Sequence, residues 1–171
     1  MKFAGILAVI FYVIHATVHL LRHEPWDLFW ACNLAVLLVG IALLTRNATL
    51  NAIAVLWAAF GTALWALDLA TGGEWLPTAV LTHIGALVIG IFGVRALSMP
   101  RFAALKSLAA FALLWCATRV ITPPKPNVNL AFRVAEGWHQ YFPSFALYTA
   151  MLGAVALAVF AFVARALEKT A

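Results

Sequence analysis

Three histidines, His15, His19 and His23, stand four residues apart, and Cys32-Asn33 follows nine residues after the last of them. On a helix, residues four apart advance by about 40° and share one face. Two histidines at that spacing can bind one metal ion. The same pair could instead wall a polar pocket or relay protons. A cysteine acts as a nucleophile only when a base takes its proton, because the thiolate is the reactive form. His15, His19 and His83 are the candidate bases for Cys32, and spacing does not choose among them.

These groups must be positioned by a chain of 171 residues that is 65% hydrophobic and 10% charged. A soluble domain carries about 25% charged residues. Too little polar surface is left here to clothe a water-facing fold. The sequence predicts an all-α polytopic membrane protein, one domain over 1–171, built as a bundle of six transmembrane helices. A bilayer-spanning helix needs roughly 20 mostly apolar residues. The stretches that qualify are 3–21, 28–45, 51–70, 78–98, 103–121 and 144–166. The first is expected to be a retained span, since no small-residue cleavage site follows it. Loops are expected at "HEPWD", "RNATLN", "GGEWLP", "MPRF" and the long stretch 122–143, where prolines, asparagines and charges gather. The net charge of +5 is scattered singly. With no basic run to neutralise phosphates, nucleic acid is excluded as a partner. Two cysteines, Cys32 and Cys116, are too few for a disulfide scaffold.

Basic residues near span ends set orientation. Lys2, Arg46, Arg95, Arg101, Lys106, Arg165 and Lys169 fall on one side, against Arg22, Arg119, Lys125 and Arg133 on the other. The excess on the first side predicts that both termini are cytoplasmic. The polar residues then collect in the opposite leaflet: His15, His19, Cys32, Asn33, Asp68, His83, Arg119, and a long loop with Asn127, Asn129 and His139. Intramembrane ionisable groups are costly and usually face a cavity or each other. One polar pocket open to one leaflet is the economical arrangement. Asp68 and Arg119 could also pair to tie two helices. A metal-dependent alternative uses His15, His19, His83 and His139, perhaps with Asp68, around zinc or iron. Zinc hydrolases keep three protein ligands and one open position. A transporter or structural subunit is a further alternative, although no internal repeat is visible.

Three stretches, "LFWACNLAVLLVGIALLTRN" (28–47), "FGTALWALDLATGGEWLPTAVLTHIGALV" (60–88) and "PNVNLAF" (126–132), follow one another in a recognisable order. The pattern resembles a family of small bacterial integral membrane proteins. That family is related to a eukaryotic transmembrane Cys/His acyltransferase that remodels ether phospholipids. More distantly it is similar to androgen-induced membrane hydrolases of fatty-acid esters. The resemblance implies Cys32 as acyl-accepting nucleophile and His83 as its base, without a cofactor. Asn33 or Asn129 would then stabilise the oxyanion. Arg119 and His139 would face a lipid headgroup, and His15, His19 and Asp68 would line the lipid site. Membrane lipids are the expected partners.

Overall fold

Apolar runs interrupted by proline, asparagine and glycine give six helices. The structure, a computed structural model, describes residues 1–169. The helices are α1 (Lys2–Leu21), α2 (Ala31–Thr45), α3 (Ala48–Ala70), α4 (Leu81–Leu97), α5 (Ala103–Ile121) and α6 (Phe145–Glu168). No strand occurs among the described residues. Four of them, α1, α3, α5 and α6, are long and apolar enough to cross a membrane. The other two are shorter. With 15 residues, α2 is about 22 Å long at 1.5 Å per residue, less than the roughly 30 Å hydrocarbon core.

The shortening of α2 has a local cause. The predicted span opened at residue 28, but Pro25 heads a 3-10 turn over Pro25–Phe29, and helix resumes only at Ala31. The first turn of α4, Leu81–Gly85, is a π-turn, and His83 sits at its middle. Such turns are rare and often mark functional sites. Side chains cap two of the long helices. Asn47 accepts from the Leu50 amide to open α3, and Ser144 accepts from the Leu147 amide to open α6.

Helix α3 is the hub and packs against α2, α4, α5 and α6. Its Phe60 meets Phe111 and Phe160 edge to face. Large apolar side chains on α1, α5 and α6 point outward, among them Val13, Leu113 and Phe162. Lipid tails are as apolar as leucine, so helices in a bilayer associate through close packing. Gly61 on α3 illustrates this. A Cβ there would lie 2.5 Å from Cys32 Cβ on α2. Gly61→Ala is therefore expected to push α2 from α3 and destabilise by about 1–3 kcal/mol, the usual cost of overpacking. A thermal melt in detergent checks this, and an unchanged midpoint would contradict the close approach.

Two buried polar residues, Asn51 and Ser107, lie away from the histidines, near the start of α3 and of α5. Asn51, assigned to the loop 46–51, lies buried in the first turns of α3, and its amide donates to the Gly90 carbonyl on α4.

Candidate functional site

His15 and His19 sit one turn apart on the inner face of α1 and are 1% and 9% exposed. Their Nε2 atoms are 3.1 Å apart, with the rings edge to face at 82°. Each remaining nitrogen has its own partner. His15 Nδ1 lies 2.9 Å from Thr78 Oγ1, and His19 Nδ1 lies 3.2 Å from Glu24 Oε2 and 3.8 Å from Asp27 Oδ2.

The carboxylates reach His19 because the chain reverses sharply after α1. His23 is in the left-handed region at φ 60°. The Glu24 amide then donates back to the His19 carbonyl, which folds Glu24 beneath the His19 ring. The 3-10 turn brings in Asp27. Asn33 fixes that turn by donating from its side chain to the Asp27 carbonyl, and the Trp30 indole donates to Asp27 Oδ1. Arg22 donates to Glu24 at 2.9 Å and to Glu74 at 2.7 Å, tying the end of α1 to the α3–α4 connection.

The two carboxyls have different environments. Hydrogen bonding from Arg22 holds Glu24 below the usual carboxylate range. Burial pushes Asp27 up. Both line a cleft of about 550 Å³, shared with His23, Trp26, Pro123, Lys125 and Pro126. Among the described residues, the His, Cys, Asp and Glu ligand atoms that gather within 4.8 Å of one another belong to His19, Glu24 and Asp27. One imidazole and two carboxylates suit zinc or iron.

The residues singled out from the sequence fare unevenly. Cys32 lies in the first turn of α2 and packs on Gly61, and its Sγ makes a long contact of 4.0 Å to Asn33 Oδ1. His83 donates from Nδ1 to the Ala79 carbonyl, and its ring stacks on Trp65 with centroids 4.7 Å apart. No hydrogen bond joins Cys32 to His83 among the described residues. The first turn of α4, which carries His83, packs against α1 and α2. His139 is exposed in the α5–α6 loop.

Asp68 and Arg119 do not pair. Asp68 is exposed at the end of α3, whereas Arg119 donates to the Ala131 carbonyl and lies over the Trp115 ring. Asn129 has no donor left for an oxyanion. Its two N–H groups go to the Phe29 carbonyl and Thr118 Oγ1, and its Oδ1 accepts from the Ala31 amide at the start of α2. Asn127 is likewise occupied within its own loop, accepting from the Phe132 and Arg133 amides.

Glu24, Asp27 and Thr78 were missed. Glu24 and Asp27 stand in "HEPWD", five and eight residues after His19. Pro25 at the head of a short turn was the available signal, since it forces a tight reversal next to the histidines. Comparison with protein-family models, curated proteins and solved structures finds nothing that matches this chain.

Proposed function

We propose that this protein is a metal-dependent membrane enzyme that hydrolyses an ester bond of a membrane lipid. A divalent ion, zinc or iron, would be held by His19 Nδ1, Glu24 and Asp27 at the mouth of the polar pocket. The observation that carries this reading is the convergence of those three ligands within 4.8 Å, two of them on the wall of an open cleft. Three protein ligands leave a position for water, and zinc lowers the pKa of such water to about 7. The ion would thus supply hydroxide, the water's proton passing to solvent. Ester cleavage by that hydroxide would give a carboxylic acid whose proton passes to the departing alkoxide, leaving a carboxylate and an alcohol. In this reading all six helices cross the bilayer of a bacterial cell membrane, with the termini cytoplasmic and the site in the opposite leaflet. The shorter α2 and α4 both pack against α3.

Metal ligands must be deprotonated, so binding displaces protons. Asp27, raised by burial, carries its proton at a higher pH than an ordinary aspartate does. Across an acid pH series, zinc is expected to displace fewer protons from Asp27→Asn than from the wild type once Asp27 carries its proton. Calorimetry in two buffers of different ionisation enthalpy counts them, and an equal count would remove Asp27 from the ligand set.

Acyl transfer through Cys32 and His83 stands second. It is favoured by the His83 Nε2, which makes no hydrogen bond among the described residues, and by the neighbouring Asn33. An ester-cleaving activity that survives chelation but is lost in Cys32→Ala would select it.

A further inference from the structure

We propose that His15 and Thr78 form the inner arm of the ion site, and that filling it reverses a hydrogen-bond chain running from Glu24 to Thr78. This inference rests on the ion-binding reading above. The chain has three links: His19 Nδ1 to Glu24 Oε2 at 3.2 Å, His19 Nε2 to His15 Nε2 at 3.1 Å, and His15 Nδ1 to Thr78 Oγ1 at 2.9 Å. A neutral imidazole has one donor nitrogen and one acceptor nitrogen, and an ionised carboxylate only accepts.

With both rings neutral and Glu24 ionised, these rules order the protons along the three links. Without an ion, His19 Nδ1–H donates to Glu24. His19 Nε2 must then accept, so His15 Nε2–H donates to it. His15 Nδ1 accepts in turn, and the Thr78 hydroxyl donates. An ion on His19 Nδ1 takes the lone pair there and sends the ring proton to Nε2. His15 Nε2 must now accept, and its proton sits on Nδ1 and is donated to Thr78 Oγ1. The Thr78 hydrogen is released toward another acceptor. Each ring keeps one proton and the hydroxyl keeps its own, so net protonation does not change.

Metal ligands commonly depend on such outer partners for ring orientation and tautomer. Here the chain joins α1 to a residue 63 positions later in sequence. Thr78 stands five residues before His83 and three before the π-turn. Occupancy at the cleft is thereby transmitted to the start of α4, one turn deeper than the ion.

The test is ring-nitrogen NMR of histidine-labelled protein in nanodiscs, titrated with zinc alone. The expected result is a change of the His15 proton from Nε2 to Nδ1 as zinc binds. Thr78→Val is expected to weaken zinc about 10-fold, within the range of about 10–100-fold for loss of an outer partner, and Thr78→Ser to restore it. Zinc binding with the His15 ring unchanged would overturn the inference while leaving the ion site intact. No zinc binding by the wild type would overturn both. Because the tautomer is read on the wild type, the outcome stands even if Thr78→Val does not fold.

Discussion

Asn129→Ala is expected to destabilise the protein by on the order of 3 kcal/mol, the cost of leaving buried polar groups unpaired. The side chain fastens three elements at once. Its oxygen caps the start of α2 at the Ala31 amide, and its amide holds the Phe29 carbonyl and Thr118 on α5. Alanine would strand the Ala31 amide and the Phe29 carbonyl together. The backbone adds to the cost. Asn129 sits at φ 53°, a left-handed conformation that asparagine tolerates better than alanine does. Thr118 would suffer least, because its hydroxyl still donates to the Leu114 carbonyl. Asn129→Asp keeps the acceptor but sets a buried carboxylate against the Phe29 carbonyl, so it should cost at least as much as alanine. Denaturation in detergent measures this series. Equal stability of all three proteins would contradict the role of Asn129 as a fastener.

His19→Ala is expected to lower zinc affinity by more than about 100-fold, since loss of an outer partner alone costs about 10–100-fold. It removes the only imidazole among the three converging ligands. Glu24 would keep its Arg22 partner, so the reversal after α1 should persist, and Asp27 would remain held through its own carbonyl by Asn33. Folding should therefore survive while binding does not. Calorimetry with zinc, beside a melt of the same sample, separates the two effects. Retained affinity in a folded His19→Ala protein would remove the histidine from the site.

The six helices were legible in the sequence because apolar runs and their breakers are local. Proline at 25 and asparagine at 47 act on neighbouring residues, and each sits at an element boundary. The gathering of His15, His19 and Asn33 at one end of the bundle was also legible. Rotation about the helix axis was not. Cys32 and His83 lie on neighbouring helices, yet Cys32 faces Gly61 and His83 faces Trp65. The carboxylates escaped notice for another reason. Their approach depends on a left-handed His23, and positive φ is uncommon even for the non-glycine types enriched in it. Thr78 and Asn129 act across 63 and 98 residues, contacts that no local pattern encodes.

The central claim is that His19, Glu24 and Asp27 hold an ion. Elemental mass spectrometry of the detergent-purified protein, prepared without added metal, tests it most directly. The expected result is about one zinc or iron per chain, as a site with three protein ligands holds, lost in His19→Ala and kept in Cys32→Ala. A wild-type protein without stoichiometric metal, or one whose metal is unchanged in His19→Ala, would contradict the claim.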